Sequence, residues 1–215
     1  KRMNKDKLSE ALKDFRIVPV IALDDAASAV PLGEALLDGG LPVAEITFRT
    51  EAAEESMRKL SAELPDLLLG AGTVLTTEQV DRAVDAGATF IVTPGFNPRV
   101  VEHALKREVP IVPGVNDPSG VEQGLEFGLD LLKFFPAEAS GGVKMVKALG
   151  GPYKSVSFVP TGGVGPSNLE SYLTLKNVVA CGGSWLVPKA ALENNDFDQI
   201  RDLTSDACEL ASKIG

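Results

Sequence analysis

Histidine is almost missing from this chain, with one, His103, in 215 residues. It falls in Val101-Glu102-His103-Ala104-Leu105, a stretch of helical period where a structural role is expected. A Ser-His-Asp triad, a Cys-His pair and a His-rich metal site all need an imidazole among their partners, so none of these chemistries is expected. Cysteine is scarce too: Cys181 and Cys208 cannot build a disulfide framework and read as buried or idle thiols. Basic residues are in deficit, 21 against 30 acidic ones for a formal charge of −9. That balance argues against a nucleic-acid partner, which demands a basic face. It does not argue against a small anionic substrate, because pocket charge and net charge are separate quantities. No apolar run has the length of a membrane span. The opening Lys1-Arg2-Met3-Asn4-Lys5-Asp6 is not followed by the apolar stretch of a signal peptide. A soluble, cytoplasmic protein with no membrane partner is expected. Linkers and low-complexity tracts are also lacking, so residues 1–215 are expected to form one domain.

What is present is a regular alternation. Short apolar or β-branched runs occur at Arg16–Ala22, Pro42–Phe48, Leu67–Gly72, Thr89–Thr93, Pro110–Gly114, Leu129–Phe134, Ser157–Pro160 and Val178–Gly182. Helical periods separate them, at Ala26–Asp38, Glu51–Leu64, Thr77–Ala86, Pro98–Lys106, Pro118–Phe127, Gly142–Leu149 and Pro166–Thr174. Amphipathic segments open the chain at Lys5–Lys13 and close it at Asp196–Ile214. Strand and helix in steps of roughly 20–25 residues predict an α/β fold, a (β/α)8 TIM barrel with an extra N-terminal helix. An open doubly wound sheet is the alternative, though no strand-order switch point is evident. Punctuation agrees: Gly39-Gly40, Gly87 and Gly128 sit where helices end, and Asp24, Thr50, Thr76 and Asn97 where they begin.

Active sites of such barrels lie at the C-terminal strand ends. Lys133 ends the sixth strand, between Leu132 and Phe134, with Leu131 and Phe135 on its own face. Apolar burial disfavours an ammonium ion and favours the neutral amine that attack on a ketone requires. A snorkelling structural lysine is the plainer reading. Glu45 weighs against it, since Val43, Glu45 and Thr47 share one face of strand two and turn a carboxylate toward the same interior. Glu45 suits either a structural ion pair or proton transfer. Arg49 suits a bidentate carboxylate contact, against the plainer alternative of a surface pair with Glu51 or Glu54. Asp24-Asp25 read as a helix cap in preference to a cation site. Thr161-Gly162-Gly163 and Gly182-Gly183-Ser184 occupy the loops after strands seven and eight, where many barrels bind phosphate.

Together these segments resemble the 2-keto-3-deoxy-6-phosphogluconate and 4-hydroxy-2-oxoglutarate aldolases over about Arg16 to Pro188. The motifs are Val18-Pro19-Val20-Ile21, Glu45-Ile46-Thr47-Phe48-Arg49-Thr50, Gly70-Ala71-Gly72-Thr73-Val74-Leu75, and Lys133-Phe134-Phe135-Pro136-Ala137-Glu138 with Gly141-Gly142-Val143. Pro160-Thr161-Gly162-Gly163 and Gly182-Gly183-Ser184-Trp185-Leu186-Val187-Pro188 complete the set. The resemblance implies a class I, Schiff-base mechanism with no metal and no cofactor. It implies Lys133 as the imine-forming residue and Glu45 as the proton carrier, working through a water. Arg49 and Thr73 would hold the keto-acid carboxylate, Pro94 and Phe135 would line the apolar wall, and Thr161 would contact the keto-acid end. Gly162, Gly163, Gly183 and Ser184 would receive the phosphate. Partners would be a phosphorylated keto sugar acid and pyruvate, and the assembly a homotrimer. Phe48 and Phe96 depart from the family's leucines, which leaves aldehyde preference open, while Thr161 points to the gluconate epimer. The competing reading, a metal-dependent sugar-phosphate epimerase on the same barrel, would want histidine and aspartate ligands at strand ends.

Overall fold

The computed structural model describes residues 3–214, so the opening Lys1-Arg2 lies outside the described residues. Among the described residues nine strands run in chain order: β1 (Ile17–Ile21), β2 (Val43–Thr47), β3 (Leu68–Gly72), β4 (Phe90–Val92), β5 (Ile111–Val112), β6 (Gly114–Val115), β7 (Leu131–Phe134), β8 (Ser157–Pro160) and β9 (Cys181–Gly183). Ten α-helices accompany them: α1 (Lys5–Phe15), α2 (Ala29–Asp38), α3 (Ala53–Glu63), α4 (Thr77–Asp85), α5 (Pro98–Lys106), α6 (Pro118–Glu126), α7 (Gly142–Leu149), α8 (Leu169–Leu173), α9 (Lys189–Glu193) and α10 (Phe197–Ser212).

Six strands form one sheet in the order β5-β4-β3-β2-β1-β9, and three form another in the order β6-β7-β8. Every pairing is parallel, as consecutive strand–helix–strand units require. The expected fifth strand, Pro110–Gly114, is divided into β5 and β6 at Pro113, which has no N–H to donate to a ladder. The Pro113 carbonyl still accepts the Lys133 N–H at 2.9 Å, so the line of strands continues across the break. Single bridges, Phe158 to Val178 and Thr161 to Gly182, join the β8 side to the β9 side. The result is an α/β fold with a curled parallel sheet.

Other boundaries move for local reasons. Arg16 ends α1 in the left-handed conformation (φ 64°) instead of opening a strand. Val178 makes only a bridge, and the last strand starts at Cys181. Asp25, not Asp24, caps the short 3-10 turn Ala26–Ser28 that precedes α2. Thr50 is not the cap of α3, which starts later with Ala52 at its N-cap, and its hydroxyl donates to the Leu23 carbonyl. The expected helix Pro166–Thr174 shortens to Leu169–Leu173, because Asn168 uses its side chain to close a turn.

Helix α1 has a clear sequence origin: Asn4 accepts the Lys7 N–H at its start, and Leu8 and Leu12, one turn apart, are its buried residues. Lys5 tethers it to Asp130 at 3.0 Å, just before β7. At the other end of the chain α10 packs on α2, where Gly39 leaves room for the buried Thr204. Among the described residues no helix is long and apolar enough to cross a membrane.

Candidate active site

The alternation on β2 and β7 sets the interior. Val43, Glu45 and Thr47 share one face of β2, and Lys133 shares its face of β7 with Leu131. Leu132, on the opposite face, points to α6, where a Cβ on Gly124 would touch it at 2.9 Å. Lys133 is 5 % and Glu45 3 % exposed. Lys133 Nζ stands 3.7 Å from Glu45 Oε1, an ion contact too long for a hydrogen bond. Glu45 Oε1 has no hydrogen-bond partner. A buried carboxylate oxygen left unpartnered is costly and calls for a functional explanation. Lys133 Nζ also lies 5.1 Å from the centroid of the Phe135 ring. A cavity of about 10 Å³, room for a single water, is lined by Lys133, Glu45 and Thr161, with Leu12 of α1 on the wall.

Glycine makes this pair possible. A Cβ on Gly72, in register with Thr47, would stand 2.1 Å from Glu45 Oε1, so β3 yields the volume that the carboxylate fills. Two residues back, Gly70 yields to the Phe90 ring in the same way. The next residue, Thr73, carries φ 53°, rare for a β-branched side chain and a mark of backbone held for a purpose.

Arg49 is exposed and pairs with neither Glu51 nor Glu54; Glu54 is taken by Arg58 and Arg82. Instead the Arg49 Nε–H donates to Thr47 Oγ1 at 3.1 Å. The Thr47 hydroxyl donates in turn to the Ile21 carbonyl at 2.8 Å, which leaves its lone pairs to Arg49. Thr47 thus aims the guanidinium, a part that strand alternation alone did not reveal.

Arg49 and Ser184 line a larger cavity of about 680 Å³ at the ends of β1, β2 and β9, bordered by the short helix α9. Lys133 and Glu45 do not line it. Thr73 and Pro94 stand at the ends of β3 and β4 and line neither cavity. Gly114 lets its strand approach there, since a Cβ on it would meet the Pro94 carbonyl oxygen at 2.1 Å. After β8, Gly162 (φ 104°) and Gly163 (φ 76°) form a left-handed pair that other residues adopt only with strain. Gly183 has another reason to be glycine: a Cβ would lie 1.9 Å from the Trp185 ring. Burial pushes the Cys181 thiol up to about 12, so it stays protonated and unreactive. His103 bonds Asp81 at 2.9 Å between helices α5 and α4, away from the strand ends. Among the described residues no group of three His, Cys, Asp or Glu side chains is placed to hold a metal.

A buried lysine facing a buried carboxylate inside a curled parallel sheet is the equipment of a Schiff-base lyase. The family model "KDPG and KHG aldolase" matches residues 8–203. A 2-dehydro-3-deoxy-phosphogluconate aldolase of Haemophilus influenzae is 51 % identical over 204 residues, covering 95 % of this chain and 96 % of the relative. The KHG/KDPG aldolase of Escherichia coli K12 is 44 % identical over 193 residues, covering 90 % and 91 %. Among solved structures, the KDPG aldolase of Legionella pneumophila, with pyruvate captured as a covalent carbinolamine intermediate, superposes with a TM-score of 0.90 at 40 % identity, covering 92 % and 96 %. The chain belongs to the KDPG and KHG aldolase family.

Proposed function

We propose that this chain cleaves 2-dehydro-3-deoxy-6-phosphogluconate to pyruvate and D-glyceraldehyde 3-phosphate through a Schiff base on Lys133, and that it also acts on 4-hydroxy-2-oxoglutarate. The observation that carries the proposal is the Lys133–Glu45 pair, two buried charges 3.7 Å apart with one carboxylate oxygen unpartnered. Lys133 passes a proton to Glu45, and its neutral amine adds to the C2 ketone. Glu45 returns the proton through a water to the carbinolamine hydroxyl, which leaves as water to give the protonated imine. Glu45 then takes the C4 hydroxyl proton, through a water in the small cavity. The C3–C4 bond breaks, its electron pair moves into the imine as an enamine, and the aldehyde leaves. Glu45 returns the proton to C3, and hydrolysis frees pyruvate and the lysine.

Arg49, aimed by Thr47, and Thr73 hold the carboxylate; Pro94 and Phe135 wall the pyruvyl end, with Thr161 beside it. Gly162, Gly163, Gly183 and Ser184 receive the phosphate, so that the substrate extends from the Lys133 pair toward the larger cavity. The sheet closes into a (β/α)8 barrel, with β5 and β6 as one strand and the β8–β9 bridges as the closing seam; both interruptions support that reading. Residues 1–215 act as one domain, in a homotrimer, in the cytoplasm, without metal or cofactor.

The test is a coupled assay of pyruvate release from the phosphorylated substrate. Turnover is expected to survive prolonged chelation and to vanish in Lys133→Arg, which keeps the charge but cannot form the imine. Activity lost to the chelator and restored by one divalent ion would contradict the proposal.

A further inference from the structure

Of the two loops given to the phosphate, the one after β8 is built so that its carbonyls are occupied. The Gly162 carbonyl accepts the Glu138 N–H at 3.1 Å. The Gly163 carbonyl accepts from Asn168 Nδ2 at 2.9 Å, and Asn168 Oδ1 accepts the Gly165 N–H at 2.8 Å. Among the described residues, the N–H groups of Gly162, Gly163 and Val164 have no acceptor in the protein. Each peptide unit is planar and trans, so a carbonyl and the following N–H point in opposite directions. Pinning the Gly162 carbonyl to Glu138 therefore fixes the Gly163 N–H. Pinning the Gly163 carbonyl to Asn168 fixes the Val164 N–H. The first bond comes from the backbone and needs no particular residue. The second depends on one side chain.

That side chain matters because of where it acts. The plane that carries the Gly163 carbonyl and the Val164 N–H turns about ψ of Gly163, which no side chain restrains, so without the tether it can tilt, carry that N–H away from an anion and bring the carbonyl oxygen nearer to it. Successive N–H groups attract an anion, whereas a carbonyl oxygen in their place repels it. The amide of Asn168 has the donor and acceptor needed to grip both ends of this turn. An aspartate would retain the acceptor and lose the donor.

We propose that Asn168 is a positioning residue: by holding the Gly163 carbonyl outward it keeps the loop after β8 in its phosphate-receiving form, and so sets the preference for a phosphorylated substrate over an unphosphorylated one. This rests on the reading of Gly162 and Gly163 as phosphate-binding. Asn168 touches neither the Lys133–Glu45 pair nor the reacting carbons, and its effect is confined to the far end of the substrate.

The experiment compares kcat/KM for 2-dehydro-3-deoxy-6-phosphogluconate and for 4-hydroxy-2-oxoglutarate in the wild type, Asn168→Asp, Asn168→Leu and Ser184→Asp. In the two Asn168 variants the phosphorylated substrate is expected to lose about tenfold to a hundredfold, mostly through KM. The unphosphorylated substrate should stay within about twofold. Inorganic phosphate, used as an inhibitor of cleavage of the phosphorylated substrate, should weaken in parallel. Asn168→Asp keeps the Gly165 bond, so it remains informative if Asn168→Leu fails to fold. Equal losses on both substrates, or an unchanged ratio, overturn the role of Asn168. Ser184→Asp separates the layers. If it lowers the ratio while the Asn168 variants do not, only the present inference fails. If it too leaves the ratio unchanged, the phosphate site itself is misplaced and the inference falls with it.

Discussion

At the scale of single residues, Glu45 is the counter-charge to Lys133, and the proposed function makes it the carrier of protons as well. Glu45→Gln keeps the side chain's shape in the space that Gly72 leaves for it and removes only the ionisable oxygen. A fall in kcat of roughly 10²–10⁴ is expected, the usual size of a general acid–base contribution, with a much smaller change in KM. Exchange of the pyruvate methyl protons with deuterated solvent, followed by NMR, should slow in the same proportion. Exchange at the wild-type rate would mean that another group is the base. Lys133 and Glu45 were legible in the sequence because strand alternation of period two places both side chains inward, and charge on an inward face is conspicuous. Gly72 was legible as a glycine but not for its reason, which depends on the register that sets it beside Thr47 on β2. Thr47 and Asn168 stayed hidden for a related cause. Their work is done through hydrogen bonds to Arg49, Ile21, Gly163 and Gly165, and a hydroxyl or amide advertises no partner until the backbone around it is known.

At the scale of elements, the outer helices are laced by charge. Glu54 on α3 bonds Arg58 one turn on at 2.7 Å and Arg82 on α4 at 2.6 Å, and Asp81 on α4 meets His103 and Arg107 at the end of α5. Arg82 first, then Arg58, hold the Glu54 carboxyl below its ordinary value of 4.5. His103 first, then Arg107, do the same for Asp81. A carboxyl depressed in the folded state binds protons more readily when unfolded. Its stabilisation is therefore full above the unfolded value and is lost as pH falls through the folded one. The thermal midpoint should drop on acidification below about 4.5. Glu54→Gln should flatten that slope and cost about 0.2–1 kcal/mol at neutral pH, since the group lies near solvent. An unchanged slope would remove Glu54 from this role. The helices themselves were readable from period, caps and glycine stops. Failures fell at Asp24, Thr50 and Pro166, where neighbouring residues compete for one turn and only the backbone geometry decides between them.

At the scale of the whole molecule, the arrangement has one direction. Leu8 and Leu12 of α1 are packed in the core, and Leu12 walls the small cavity that holds the Lys133–Glu45 pair, while Arg49 and Ser184 line the larger cavity at the strand ends. The alternation of strands and helices announced the curled parallel sheet. It did not announce that Pro113 would interrupt the fifth strand, because Pro19 and Pro160 lie within β1 and β8 without dividing them. The proposed function divides the labour along this geometry: a dry end that forms the imine and a wet end that receives the anion. The central claim is that the dry end forms the covalent bond. Borohydride reduction in the presence of pyruvate, followed by intact mass and peptide mapping, tests it most directly. One reduced pyruvate adduct per chain, on Lys133 and absent from Lys133→Arg, is the predicted result. An adduct on Lys144, Lys147 or another lysine, or no adduct under conditions of full turnover, would contradict it.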